Sequence, residues 1–332
     1  MNLLQRGMGA ANDFVDVLRQ VRTDEIEAEA SRHFQIAIVG PRGAGKTTLI
    51  GRLAAGTFGG VLEPFGLRRI VELDTPLGPD GLDTALGSDL VIWLQDVTQP
   101  YDDPTFVELR ASATAFLNVA NKSDLVIDAV PPAERALLIS GQSADSVRQE
   151  LAPAVLDCLP DLGLALGRQL SAFRLEAANR EIARVARVNA EVAVVSAIPQ
   201  ASLILGPASV LADTLILTKN QGMLMLRLAS MYGLSLDKSR LVELAPVVGA
   251  AFGWRTLARE LVGFLPAGFG VVPKAVIAYA GTVAAGRAAM WYYQTGRKMP
   301  AAQFDALRAA SLREAKEAVK GIAAKMKIKK AS

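Results

Sequence analysis

Hydrophobic and polar positions fall into two regimes along the chain. From residue 33 to about 160, short continuous apolar runs alternate with helical stretches. From about 161 onward only long helical patterns recur. In the first regime Phe34-Gln35-Ile36-Ala37-Ile38-Val39 predicts a buried strand, and Thr48, Leu49, Ile50 and Leu53 predict a helix ending at Gly56. Further strands are expected at Ile70–Leu73, Leu90–Gln95 and Ala115–Ala120, with a short helix at Phe106, Val107 and Leu109 between the last two. A closing helix is carried by Val147, Leu151, Val155, Leu156 and Leu159. Strand and helix in alternation predict an α/β domain with a mostly parallel sheet over 33–160.

Outside that span, residues 1–32 read as an amphipathic helix, with Phe14, Val15, Leu18 and Val21 at helical spacing. Residues 161–194 read as a linker helix. Its expected apolar face carries Leu170, Phe173, Leu175, Ala178, Ile182 and Val185, and its solvated face Arg174, Glu176, Arg180, Glu181, Arg184 and Arg187. Residues 195–300 are predicted to form an all-α hydrophobic domain. Charge-free runs there are interrupted by Pro199, Gly206, Pro207, Pro266 and Gly268, so paired, re-entrant or interfacial helices fit better than a clean bilayer span. Lys219, Asn220 and Gln221 stand out as polar residues in an apolar helix, and a hydrogen-bonded cluster at a helix end is the expectation. Residues 301–332 form a helix with a basic end at Lys316, Lys320, Lys325, Lys327, Lys329 and Lys330.

Composition sharpens this division. Hydrophobic residues make up 51% of the 332 and charged residues 21%, oilier than an ordinary soluble chain, which points to a membrane-linked or very large-cored second half, with a soluble helical bundle as the alternative to membrane association. A net charge of +3 gives no general reason to expect nucleic acid. The single cysteine, Cys158, cannot form an internal disulfide and fits a reducing compartment. The single histidine, His33, argues against histidine chemistry. No cleavable leader is expected, because Met1–Ala30 is polar and amphipathic.

The chemistry gathers at strand ends. Gly40-Pro41-Arg42-Gly43-Ala44-Gly45-Lys46-Thr47 reads G-x-x-x-x-G-K-T between a strand and a helix, the pattern of a phosphate-binding loop. Glycines let successive N–H groups point at phosphate oxygens, and the helix start at Thr47-Thr48 adds its positive end. Lys46 is expected to reach the β- and γ-phosphates and Thr47 to bind Mg²⁺. The next strand ends at Asp74-Thr75-Pro76-Leu77-Gly78, where Asp74 would hold Mg²⁺ through water and Gly78 could approach the γ-phosphate. The strand Ala115–Ala120 runs into Asn121-Lys122-Ser123-Asp124. A carboxylate at Asp124 can accept from the N1 and N2 hydrogens of guanine, a donor pair that adenine lacks. Asn121 would brace the loop, and the Lys122 stem would lie along the base. A last base contact is expected from Ser140-Gly141; Ser196-Ala197, after the β-branched run Val192–Val195, is the less favoured candidate.

With those four motifs in that order, residues 34–160 resemble the Era-like, Ras-type small GTPases of the translation-factor class. The resemblance implies GTP and GDP as ligands, Mg²⁺ as cofactor, and hydrolysis carried by Lys46, the Thr47-bound ion and backbone amides. The chain departs from the pattern in three places. Too few residues separate Thr48 from Ile70 for an ordinary switch I, the D-x-x-G motif is stretched to Asp74–Gly78, and Pro79-Asp80 stand where a water-positioning Gln or His is usual. Residues 195–300 resemble the YcjF-like helical family of unknown function (number 697 in domain catalogues). That likeness rests on Leu217-Thr218-Lys219-Asn220-Gln221, Leu228–Gly233, Pro246–Ala250, Trp254–Arg259 and Ala278–Thr282. It implies a helical partner of bacterial GTPases and no chemistry.

The sequence thus predicts a guanine-nucleotide switch, with slow or partner-stimulated GTPase activity, on a helical domain at the cytoplasmic face of a membrane. Nucleotide state is expected to alter the loops Gly56–Leu67 and Thr75–Gly87. Expected partners are membrane lipid, an activating protein or a second copy of the chain. The alternative is a membrane-surface scaffold with a degenerate, non-hydrolysing GTPase fold. A ribosome or RNA partner finds support only in the basic tail.

Overall fold

The computed structural model describes residues 22–54, 69–99, 103–126, 136–195, 207–236 and 272–331. The expectations for residues 1–21, the Gly56 helix end, the switch I span, and the runs 237–271 lie outside the described residues. The described chain divides into two compact units.

The first unit spans Glu27–Ala178 and takes in Met231–Gly233. It is built on a five-stranded parallel sheet of order β2-β1-β3-β4-β5. The strands are β1 (Ile36–Gly40), β2 (Ile70–Asp74), β3 (Leu90–Asp96), β4 (Phe116–Asn121) and β5 (Leu137–Leu138). Helix α1 (Thr23–Ala30) precedes β1. Parallel strands buried on both faces should read as continuous apolar runs, and β1 and β3 do: every residue in both is buried. Along these strands the side chains alternate between faces. Ala37, Val39, Val91 and Trp93 share one face and pack with Ala85 and Leu109 from α3 (Pro79–Leu86) and α4 (Pro104–Ser112). The edge of the ring of Trp93 meets Phe106 at a centroid distance of 5.5 Å. Ile36, Ile38, Leu90, Ile92 and Leu94 are fully buried on the opposite side. β2 lies at the sheet edge, which is why Glu72 and Asp74 remain exposed while Ile70 is buried.

Several elements differ from the sequence reading. Pro79-Asp80-Gly81 opens helix α3 rather than continuing a loop, since proline at the first helical position costs no backbone bond. Pro104 likewise begins α4, behind the Asp103 carboxylate, which accepts from the Thr105 N–H at 2.9 Å. The closing helix is continuous from Ala144 to Cys158 but passes through a π turn at Val147–Leu151. The 161–194 linker is two helices, α6 (Gly163–Gln169) and α7 (Ser171–Val195), separated at Leu170; Ala152–Cys158 is α5. The first unit therefore runs past residue 160 and includes α6 and the start of α7. Gln169 secures α6 by donating to the carbonyls of Ala30 and Arg32, both at 3.0 Å. Leu175, expected inside, is 47% exposed. Arg174 is not simply solvated: it donates to the Gly167 carbonyl and lies over the Tyr232 ring.

The second unit is helical. It contains the rest of α7, α8 (Pro207–Met231, of which the last residue belongs to the first unit), α9 (Val272–Thr295) and α10 (Ala301–Ala331). Val192–Val195, which reads as a strand, lies in α7. Asn220 sits in the body of α8, not at a helix end, and donates to Asn189 Oδ1 at 2.8 Å; Asn189 in turn donates to Thr282 Oγ1 at 2.9 Å. Glu181, expected on a solvated face, is 8% exposed and paired with Arg227 and Arg184. Burial pushes its carboxyl up, but the two arginines outweigh that and hold it below the ordinary value. Gly286 lets α9 approach Ile182 of α7 so closely that an added methyl would collide with that side chain. Among the described residues no helix is long and apolar enough to cross a membrane.

Candidate functional site at the carboxyl edge of the sheet

All five strands point the same way, so the segments that follow them meet along one edge. The chain leaves β1 for β2 on one side and returns for β3 on the other, which puts a reversal of strand order beside β1. In open α/β sheets ligands bind in the crevice at such a point. The loops after β1 and β3 flank it here.

Residues 41–45 form the turn between β1 and α2 (Lys46–Ala54). Gly45 has φ +94°, and a methyl group on it would strike the Asn121 amide nitrogen. Gly40 faces the Leu94 carbonyl just as closely. These two positions admit only glycine, which explains the first and last glycines of the motif. A loop of this form before a helix presents backbone N–H groups suited to an anion.

Lys46 is buried, with 2% of its side chain exposed. Its three N–H donors match three acceptors: the carbonyls of Gly40 at 3.0 Å and Pro41 at 2.9 Å, and Asp74 Oδ1 at 2.7 Å. Arg42 Nε holds the other oxygen of the same carboxylate, Asp74 Oδ2, at 3.0 Å. The hydrogen bond from Lys46 outweighs the opposing effect of burial and, with the Lys46 charge and the Arg42 contact, keeps the Asp74 carboxyl below its ordinary value. Thr47 Oγ1 donates between the two oxygens of Glu72, at 2.9 and 3.0 Å. Thr47, Glu72 and Asp74 thus offer hard oxygen donors on adjacent elements. Among the described residues no group of three or more Asp, Glu, His or Cys could hold a metal ion alone. Such a set suits Mg²⁺ only with ligand oxygens completing the shell, which is its usual mode with phosphates.

Asn121 joins the pieces. Its amide nitrogen donates to the Ala44 carbonyl at 2.8 Å, and its Oδ1 accepts from the Gly141 N–H at 2.7 Å. It is buried, and a side chain at Gly141 would press on it. Ser140 lies beside it, its N–H donating to Ser146 Oγ at 2.9 Å. Lys122 adopts φ +66° and opens the 3₁₀ turn Ser123–Leu125, which carries Asp124 on the exposed surface. Gly78 caps α3 at the far end of the β2 segment. Thr48 lies exposed in the first turn of α2.

Two residues of the site are not singled out by the sequence motifs. Asp96, at the end of β3, holds the Lys122 ammonium at 2.6 Å and accepts from Thr98 N and Thr98 Oγ1. Burial raises its carboxyl, yet Lys122 and the Thr98 donors prevail and hold it below the ordinary value. Glu72 is the other. Its position two residues before Asp74 on one strand, hence on the same face, is the signal that could have found it.

Comparison with protein-family models, with curated proteins and with solved structures gives no significant match to this chain.

Proposed function

We propose that this protein binds guanine nucleotides through a phosphate loop of the Era-like kind and hydrolyses GTP slowly or with a partner's help. The observation that carries the reading is Asn121, which ties the glycine loop at Ala44 to the Ser140-Gly141 turn and sets Asp124 on the same strand end. Bonds between motifs far apart in the chain support a site that combines loop N–H groups, a lysine and a base-reading carboxylate.

In this reading Lys46 exchanges carbonyl and Asp74 partners for the β- and γ-phosphate oxygens. Thr47, with Glu72 and Asp74 beside it, would hold Mg²⁺. When bound, that ion would supply positive charge to the phosphate chain. Asp124 accepts from guanine N1–H and N2–H, and Asp96 keeps the Lys122 chain extended along the base. Pro79-Asp80, which open α3, stand where a water-orienting Gln or His is usual in such hydrolases. The helical unit serves as the responding arm. Its lysine-rich end from Lys316 to Lys330 suits an anionic lipid surface at the cytoplasmic face of a membrane.

The test is phosphate release from GTP in Mg²⁺ by the full chain, against Lys46→Ala and with anionic vesicles added. Release by the natural sequence that Lys46→Ala abolishes supports the GTPase reading. Tight GTP binding with no release under any condition favours a non-hydrolysing scaffold. Release unchanged in Lys46→Ala contradicts the assignment.

A further inference from the structure

The Asp74 carboxylate is shared by two cations, one on each oxygen: Lys46 on Oδ1 and Arg42 on Oδ2. They differ sharply in setting. Lys46 is enclosed, with 2% of its side chain exposed, whereas 89% of the Arg42 side chain is exposed. An exposed pair of this kind adds little to stability, so the fold does not depend on where the guanidinium rests. Arg42 belongs to the glycine loop itself, two residues after Gly40, and Gly43 behind it has φ +84° with open space around it. The loop thus carries a second positive charge of its own, one carboxylate's width from the lysine that would meet the β- and γ-phosphates.

We infer that Arg42 binds the terminal phosphate of a nucleoside triphosphate, supplying from within the glycine loop a positive charge beside the transferring group. The inference rests on the nucleotide reading above and adds to it a residue that distinguishes GTP from GDP. A guanidinium presents N–H donors in a planar fork that matches phosphate oxygens. Moving from Asp74 to the terminal phosphate needs only rotation of an exposed side chain. The same move would free Asp74 Oδ2 as an acceptor. In hydrolysis, water oxygen bonds to the terminal phosphorus and the bond from that phosphorus to the bridging oxygen breaks. Its electron pair leaves on GDP, and the water's proton passes to solvent. Arg42 would stabilise the charge on the transferring group, as an arginine supplied in the same chain does in other nucleotide hydrolases.

The experiment measures affinity, not turnover. Binding of GDP and of the imido-bridged, non-hydrolysable GTP analogue to the full chain in Mg²⁺ is compared for the natural sequence, Arg42→Ala and Arg42→Lys. Arg42→Ala is expected to keep its GDP affinity and to lose on the order of tenfold for the triphosphate analogue. Arg42→Lys should recover part of that loss, because it restores charge without the fork. An unchanged ratio of the two affinities in Arg42→Ala overturns the inference while leaving the nucleotide reading intact. Equal loss for both ligands also overturns it, since GDP has no γ-phosphate to contact. Absence of GDP binding by the natural sequence overturns both.

Discussion

Asn121 Nδ2 donates to the Ala44 carbonyl at 2.8 Å, a buried hydrogen bond between residues 77 positions apart. The same side chain accepts from Gly141 N–H at 2.7 Å. One amide therefore satisfies two backbone groups and holds three loops in register. Asn121→Ala should leave the Ala44 oxygen and the Gly141 N–H buried without that partner. The expected cost is about 1–3 kcal/mol for each group left unpaired. Urea unfolding of the variant measures it, and a shift within experimental error would show that water replaces the amide.

Gly45 and Gly43 separate two reasons for glycine in one loop. Both have positive φ, but only Gly45 faces Asn121. Gly43→Ala should cost about 1–2 kcal/mol from backbone conformation alone. Gly45→Ala should cost clearly more, because the Asn121 amide must move and its bond to Ala44 is strained. Thermal melts of the two variants, compared side by side, test this. Equal midpoints would mean the loop shifts freely.

The Asp96–Lys122 pair makes an acid-dependent contribution. The folded carboxyl sits below its ordinary value of 3.8. A depressed value means stability that is fully present above the unfolded value and lost as the pH falls through the folded one. The difference in urea midpoint between the natural sequence and Asp96→Asn should therefore be largest near neutral pH and shrink below about pH 4. Asp74 and Glu181 also titrate low, but they do so in both proteins and cancel in the difference. A gap that stays constant with pH would show that Lys122 draws nothing from the charge on Asp96.

Asp124 is exposed on its 3₁₀ turn, so its replacement should be neutral for folding and specific for the base. Asparagine keeps one acceptor and gains one donor. That pair matches xanthine, which has N1–H and a carbonyl at C2, better than guanine. Asp124→Asn is expected to weaken GDP and strengthen the xanthosine diphosphate, read by competition against a fluorescent nucleotide. Unaltered guanine preference would remove Asp124 from the base site.

The sheet was legible because β1 and β3 are apolar on both faces, and a buried parallel strand leaves no other trace. The glycine loop and Asn121 were legible because each needs one residue type at one place: no side chain fits at Gly40 or Gly45, and only an amide both donates and accepts as Asn121 does. Asp96 and Glu72 gave weaker signals. Their partners, Lys122 and Thr47, come from other elements, and strand alternation places a side chain without naming what it meets. Helix α3 was hidden by Pro79 and Gly81, which signal a turn equally well. Val192–Val195 carry strand propensity inside a 25-residue helix, where tertiary packing overrides it. Glu181 shows the same limit in the helical unit. Its own helix places it among arginines facing water, but Arg227, on α8, makes that position a buried pair.

Competition for a fluorescent GDP bound to the full chain in Mg²⁺ measures whether this protein selects guanine. Displacement by GDP and GTP at matched concentrations, with ATP and ADP leaving the probe in place, is the predicted result. No binding of the probe, or displacement by adenine nucleotides as readily as by guanine nucleotides, would contradict it.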